Sequence, residues 1–297
     1  MSPTFSSSLE RAILETLAYS DVFDYPLTFD ELHRYITFPA SKGELKVSLD
    51  SLSYIISEDG YYFLPNRSFL VQIRRQRERK SLPAFHRALI YGRILGAFPF
   101  VRMVTVTGSL AVLNLSKDAD MDYMLVTTSG RLWLARAFAV TFGRFMRLFG
   151  DRICVNVLVS ESVLEWYSHD LYAAREICQM IPVTGMDVYL RLREANAWAE
   201  LHLPNAKSAP EHTPKVKRSK PLLQELFELP FRGKLGGLLE RWTMNFQLKK
   251  IHRTYGTGVE ANFSPNLCQG NFHNHHAITN QSFGERLALL ADGETKP

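Results

Sequence analysis

The residues best suited to chemistry lie in two short stretches of the sequence, Gly108-Ser109 and Asp120-Met121-Asp122. Residues two apart on a strand project from the same face, so Asp120 and Asp122 set two carboxylates side by side. Like charges at that distance repel, and each raises the pKa of the other unless a cation lies between them. Mg²⁺ prefers one or two carboxylates together with phosphate oxygens and water. The pair therefore predicts a site for Mg²⁺ or Mn²⁺, with Asp120 and Asp122 as metal ligands and catalytic residues.

The Gly108-Ser109 stretch lies between a predicted strand and the helix that follows it. Free backbone N–H groups and the positive end of a helix favour a phosphate at such a turn. A glycine lets the phosphate approach the backbone closely. Gly108 and Ser109 are therefore predicted to bind the phosphates of a nucleotide.

An alternating pattern of strands and helices must position these residues. Three apolar runs have strand character, and an amphipathic helix separates the last two of them. The predicted strands cover residues 101–107, 121–127 and 153–160, and the helix covers residues 131–149. These elements predict an α/β core of about sixty residues.

The chain ahead of this core has the element order of a winged helix-turn-helix. The second of three predicted helices opens with a capping box, in which Glu31 follows Thr28 by three residues. Asp59-Gly60 joins two short strands and is a strong hairpin signal. The predicted helices cover residues 9–19, 28–35 and 42–56.

The chain beyond the core has a mainly helical period, interrupted by a Pro-, Lys- and Ser-rich stretch at 204–221 that predicts an exposed linker. We therefore predict an α+β protein: a winged-helix-like module over 1–80, a mixed-sheet core over 81–165 and a helical C-terminal region over 166–297.

Composition narrows the partners and the cellular location. Three cysteines, odd in number and far apart, cannot form a closed disulfide framework, and no leader opens the chain, which favours a cytoplasmic protein. Arginines interrupt the most apolar run, at 131–149, so we expect no membrane partner. The third predicted helix carries only Lys42 and Lys46 against Glu44 and Asp50, which makes DNA an unlikely partner.

The motif pair resembles the polymerase β-like nucleotidyltransferase superfamily. Its signature is a hydrophobic residue, Gly, Gly or Ser, a spacer of about ten residues and Asp-x-Asp in a strand; Gly108, Ser109, Asp120 and Asp122 match it position by position. Residues 17–28 and 195–205 also look like a bacterial branch of that superfamily with a winged-helix-like N-terminus. The resemblance implies a nucleotidyltransferase-type sheet.

The resemblance also implies a function: Mg²⁺-dependent transfer of a nucleoside monophosphate from ATP or another NTP to a hydroxyl acceptor, which could be a small molecule, a protein or an RNA. In the superfamily a third carboxylate follows on the strand after the long helix, but here that strand carries Asn156. We expect Asn156 to face Asp120 and Asp122, with Val155 and Val157 on the opposite face, and to take part in nucleotide binding. An amide cannot take a proton from an attacking hydroxyl. The alternative is therefore a catalytically degenerate nucleotide-binding or regulatory protein, such as a winged-helix regulator or an antitoxin-like protein.

Overall fold

The structure is a computed structural model that describes residues 8–116, 120–216, 222–255, 261–270 and 274–291. Asp118, which flanks the Asp-x-Asp motif, lies outside the described residues. No helix in these ranges is long and apolar enough to cross a membrane.

The N-terminal module has three helices and a small antiparallel sheet in the strand order β1-β3-β2. Thr28 and Glu31 form the predicted capping box. Asp59 and Gly60 both have positive φ, at 53° and 83°, as a two-residue hairpin turn requires. The elements are α1 (Ser8–Asp21), β1 (Leu27–Thr28), α2 (Phe29–Tyr35), α3 (Lys42–Ser51), β2 (Ile56–Glu58) and β3 (Tyr61–Phe63).

The third helix is shorter than predicted. It begins at Lys42 as expected, behind a capping box formed by Ser41 and Glu44, but ends at Ser51 rather than at residue 56. The last of those residues, Ile56, pairs with Phe63 as part of the hairpin. Ile56 is β-branched and therefore favours a strand, so the helix ends before it.

A long helix links the module to the core. Helix α4 (Phe69–Gly96) runs without interruption through the basic residues at 74–80. Arg74 is buried in this helix and donates to Glu31 Oε1 at 2.8 Å, so it fastens the helix to the module.

The core is a mixed six-stranded sheet in the order β7-β4-β5-β6-β9-β8. Its central strands β5 and β6 are parallel, and the other pairs are antiparallel. The strands predicted at 121–127 and 153–160 have those bounds in the structure. The first part of the core comprises β4 (Val101–Val106), α5 (Gly108–Ala111), β5 (Met121–Thr127), α6 (Leu132–Arg147) and β6 (Ile153–Ser160).

Strand β5 is buried on both faces of the sheet. Tyr123 and Leu125 pack in a cluster with α4, α6 and the fully buried Trp133. Met124 and Val126 point the other way and pack against helices that follow β6. Apolar burial on both faces fixes the register of β5 and hence the face from which Asp122 projects.

The C-terminal region differs from the prediction of a helical region, because it adds three strands to the sheet. Strand β7 pairs with β4 at one edge, and β9 pairs with β6 toward the other. The elements are α7 (Leu171–Gln179), β7 (Ile181–Thr184), α8 (Met186–Ala195), α9 (Ala199–His202), α10 (Leu222–Glu228), a 3-10 helix (Leu229–Phe231), α11 (Lys234–Tyr255), β8 (Ala261–Ser264), β9 (Leu267–Gly270) and α12 (His275–Ala291).

The stretch predicted as an exposed linker, 204–221, is docked on the N-terminal module in its described part. The Asn205 side-chain amide donates to the His33 carbonyl at 2.9 Å. Arg34 Nη2 donates to the Ser208 carbonyl at 2.5 Å. Polar side chains that reach main-chain groups give this segment a fixed path without any apolar period.

Candidate functional site

The first residues of strand β5 and the middle of its neighbour β6 bring Asp122 and Asn156 together. Asn156 Nδ2 donates to Asp122 Oδ1 at 2.5 Å, although 34 positions separate the two residues in the chain. Asp122 pairs with Cys154, and a one-residue shift in the pairing follows: Tyr123 pairs with Val155, whereas the next residue of β5 pairs with Val157. Asn156 is thus the extra residue on β6.

The same shift corrects the reason given for the position of Asn156. Val155 and Val157 were expected on one face of the sheet, but they pack in the two different clusters on opposite faces. Side chains stop alternating between the two faces of the sheet at the extra residue. The expected position of Asn156 beside Asp122 therefore holds, whereas the expected position of Val157 was wrong because of a local irregularity that the sequence pattern does not show.

Gly108 lies directly against Asp122. Its φ of +62° belongs to the left-handed region, and a Cβ placed on it would lie 2.8 Å from Asp122 Oδ2. The preceding residue, Thr107, donates its backbone N–H to the Asp122 carbonyl at 3.0 Å. Only glycine combines this backbone conformation with the open space beside the carboxylate.

Ser109 follows in the one-turn helix α5, and its carbonyl accepts the backbone N–H of Asn114 at 2.8 Å. Two other segments brace this turn. The Tyr25 hydroxyl of the N-terminal module lies 2.8 Å from the Val112 carbonyl oxygen, and His212 Nε2 lies 2.8 Å from the carbonyl oxygen of Ala111. The predicted phosphate-binding turn is therefore held from both the module and the C-terminal region.

Asp120 lies at the solvent edge of the site with a cation beside it. Arg152 Nε is 2.6 Å from Asp120 Oδ1, within ion-pair distance, although that oxygen accepts no hydrogen bond of acceptable angle. The side chains are 48% exposed for Arg152 and 32% exposed for Asp120, so solvent screens the pair. The Asp120 side chain is therefore partly open to solvent, while its Oδ1 is buried beside Arg152.

The electrostatics of Asp122 differ from those of an ordinary aspartate. Burial raises its pKa to about 7; the charge of Asp120 raises it further, and the hydrogen bond from Asn156 opposes the rise. A proton thus binds Asp122 readily near neutral pH. A cation that binds this carboxylate competes with that proton.

A thiol fixes the orientation of the Asn156 amide. Cys154 Sγ lies 2.6 Å from Asn156 Oδ1, and burial, with the charge of Asp122 second, raises the pKa of the Cys154 thiol to about 12. The protonated thiol can donate only to the amide oxygen, so the amide nitrogen faces Asp122. In this arrangement Asn156 is a hydrogen-bond donor to the carboxylate.

Sequence reasoning missed one acidic residue of this region, Glu176 on α7. Burial, followed by the charge of Asp122, raises the pKa of Glu176 to about 7, and Gln179 Nε2 donates to its Oε1 at 2.6 Å. An acidic residue next to the apolar positions Ala173, Ala174 and Ile177, which are buried on this helix together with Arg175, was the available signal.

The donor set fits a cation of the Mg²⁺ class. Within the described ranges no group of three or more His, Cys, Asp or Glu side chains is arranged to hold a metal ion. Mg²⁺ needs fewer protein ligands than that, because phosphate oxygens and water complete its shell. Asp122, beside the space that the missing Cβ of Gly108 leaves, and the partly exposed Asp120 are the residues that could hold such an ion.

Comparison with known proteins assigns the chain to no family: no protein-family model, curated protein or solved structure matches it.

Proposed function

We propose that this protein is a Mg²⁺-dependent nucleotidyltransferase that moves a nucleoside monophosphate from ATP or another NTP to a hydroxyl acceptor. The observation that carries the proposal is the convergence of three distant sequence positions: Gly108 lies against one oxygen of Asp122, and Asn156 binds the other. A glycine turn beside an acidic strand end combines a place for phosphates with a place for a cation.

Asp120 and Asp122 are the residues that would hold Mg²⁺ or Mn²⁺. When bound there, the metal supplies positive charge against the triphosphate and its developing negative charge. Ser109 and the backbone N–H groups of its turn would bind phosphate oxygens. Asn156 keeps Asp122 in one orientation through its donated hydrogen bond.

The proposed reaction is tested by incubating the protein with each α-labelled NTP, Mg²⁺ and cell extract, then separating the products. We expect label on one acceptor class, a small molecule, a protein or an RNA. Asp122→Asn should abolish labelling, whereas Asp50→Asn, at an exposed helix position paired with Lys46, should retain it. Equal labelling by Asp122→Asn would contradict the assignment.

A second candidate is a nucleotide-binding regulator without turnover, and the amide at Asn156 favours it. Asn156 accepts from Cys154 and donates to Asp122, and it supplies no carboxylate for a second metal. Nucleotide-dependent stabilisation without any labelled product in extract would support this reading.

DNA is a poor partner for either candidate. The two cations of α3, Lys42 and Lys46, each pair with an acidic side chain, Asp30 at 2.6 Å and Asp50 at 2.8 Å. A recognition helix needs cations directed at phosphates and bases. The winged-helix-like module is better suited to bracing the Gly108 turn. We place the activity in the cytoplasm, in keeping with three cysteines that form no disulfide in the structure.

A further inference from the structure

The C-terminal segment formed by α10, the 3-10 helix and α11 directs a set of polar side chains toward the core. This is the opposite of the usual amphipathic pattern, in which the apolar side chains face inward. Glu240 accepts the backbone N–H groups of Trp133 and Leu134, at 2.7 and 2.9 Å, and so caps the start of α6. The inward polar residues, all at least nine-tenths buried, are Gln224, Glu228, Glu240, Thr243 and Gln247.

Helix α10 is also attached to the core by hydrogen bonds from buried polar side chains. Glu228 accepts the backbone N–H of Phe100 at 2.8 Å and binds Arg102 through both carboxylate oxygens, at 2.7 and 2.9 Å. Gln224 donates to the carbonyl of Val101 at 2.8 Å. Hydrogen bonds from buried polar side chains therefore supply much of the attachment of this segment to the core.

Many large apolar side chains of the segment face outward, whereas Phe231, Met244, Leu248 and Ile251 pack against the core. Trp242 and Phe246 stack on each other, with centroids 5.7 Å apart and planes at 12°. Single exposed apolar residues are ordinary, but a continuous set on one segment marks an interaction site. Seven large apolar side chains here are more than half exposed: Leu226, Phe227, Leu229, Leu235, Leu238, Trp242 and Phe246.

Helix α6 extends this apolar surface. A groove of about 340 Å³ runs between α6 and α11, with Val140 and Ile251 in its lining beside the stacked Trp242 and Phe246. Three further large apolar residues at the end of α6 are exposed, namely Phe145, Leu148 and Phe149. We call this combined surface the α6/α11 face.

The charge of the α6/α11 face has one sign. Between residues 229 and 255 the only acidic residue is Glu240, which is buried at the start of α6, and residues 132–150 contain no acidic residue. The groove itself is lined by Arg136, Arg144 and Lys250. Further cations on these helices are Arg147, Lys234, Arg241, Lys249 and Arg253.

We propose that the α6/α11 face docks on the surface of an anionic phospholipid bilayer. Aromatic and leucine side chains would enter the interfacial region, and the surrounding Lys and Arg would contact the headgroups. An anionic occupant is favoured, because on α6 and α11 cations without exposed acids surround the apolar residues; Glu225 on α10 is an exposed acid beside Leu226 and Phe227. A helix that lies on a membrane needs no spanning length, so the proposal is compatible with the finding that no helix in the described ranges could span a membrane.

Two other occupants fit less well. A second copy of the chain would set cation against cation across the interface, which costs free energy. A single-stranded nucleic acid needs aromatic platforms for its bases, but leucines supply much of this surface, and they do not stack on bases.

The proposal is tested by co-sedimentation of the full chain with vesicles of phosphatidylcholine alone and of phosphatidylcholine with about 30% phosphatidylserine. We expect binding to the anionic vesicles, weakened by added salt. The double variant Trp242→Asn/Phe246→Asn should lower the partition coefficient at least about tenfold, and Lys249→Gln/Lys250→Gln should lower it on anionic vesicles alone. Leu201→Asn, an 84% exposed apolar residue on α9, is the matched control and should bind like the wild type.

Equal binding to neutral and anionic vesicles would overturn the proposal, and so would undiminished binding by the Trp242→Asn/Phe246→Asn variant. It would also be overturned if the wild type binds no vesicles but forms a dimer or an oligonucleotide complex that this variant does not form. Circular dichroism and a thermal melt establish that each variant is folded. The groove shares no residue with the Asp120 and Asp122 site. Metal-dependent nucleotide binding by the double variant therefore tests the proposed enzyme site separately from vesicle binding by the α6/α11 face.

Discussion

At the scale of single residues, the site depends on a short chain of polar side chains, each oriented by the previous one. The Cys154 thiol sets the Asn156 amide, and the amide sets Asp122. The types of Asp122 and Asn156 could be read from the sequence, because acidic and amide residues interrupt apolar strands. The alternation of side chains along the strand also placed Asn156 on the side of Asp122, as the hydrogen bond between them shows. The one-residue shift between β5 and β6, which puts Val155 and Val157 on opposite faces, could not be read from the sequence.

Asp122→Asn should stabilise the metal-free protein in a pH-dependent way. A carboxyl whose pKa is raised by folding adds stability below its unfolded pKa, and this contribution is lost as the pH rises through about 7. An amide carries no such penalty, so we expect a gain of about 1–3 kcal/mol in the free energy of unfolding at pH 8 and a clearly smaller gain at pH 5, because the penalty accrues as the pH rises from the ordinary aspartate pKa toward about 7. Urea denaturation in EDTA at both pH values measures it, with Asp50→Asn as the control. An equal gain at both pH values would argue against a buried, ionised Asp122.

Asn156→Asp should create a metal-dependent protein. The new carboxylate would lie within contact distance of Asp122, so the two would repel without metal and share a cation with it. We expect a lower melting temperature than the wild type in EDTA at pH 8, a larger increase on adding Mg²⁺, and tighter Mg²⁺ binding in calorimetry. If this variant turns over nucleotide faster than the wild type, the missing carboxylate limits the wild-type enzyme. An Mg²⁺ response no larger than that of the wild type would show that residue 156 does not share the cation.

At the scale of elements, the turn between β4 and α5 determines whether phosphates can reach the site. Gly108→Ala puts a Cβ 2.8 Å from Asp122 Oδ2 and also strains a positive φ, so it should weaken nucleotide binding and lower the free energy of unfolding by about 1–3 kcal/mol. Gly108→Val should be worse on both counts, because a β-branched side chain is bulkier. Gly60→Ala is the matched control: its φ is +83° but nothing lies within 4 Å of the added Cβ, so it reports the backbone strain alone. Calorimetry with ATP and Mg²⁺ distinguishes them, and normal binding by Gly108→Ala would place the phosphates elsewhere.

The elements also show which features a sequence can predict. The strands at 121–127 and 153–160 were predicted with their observed bounds, because long apolar runs leave little choice. The short strands β7, β8 and β9 were missed because four residues carry too little periodicity to separate from a helix. The docked stretch at 204–216 was missed because side-chain to main-chain hydrogen bonds hold it, and those leave no apolar pattern.

At the scale of the whole molecule, the module and the core are joined by buried charges. Asp21 of α1 accepts from Arg67 and from Arg286 of α12, both at 2.7 Å. Glu31 of α2 accepts from the buried Arg74. Separation of these parts would leave ions buried without partners, which is strongly unfavourable. The N-terminal module is therefore a structural support for the site.

The central claim is that Asp120 and Asp122 hold the metal that binds a nucleotide, and isothermal titration calorimetry with ATP tests it most directly. We expect binding in Mg²⁺ or Mn²⁺ and none in EDTA, because two carboxylates without a cation repel a triphosphate. Asp122→Asn should lose the metal-dependent binding, and Asp50→Asn should keep it. Equal ATP affinity in EDTA and in Mg²⁺ would contradict the account.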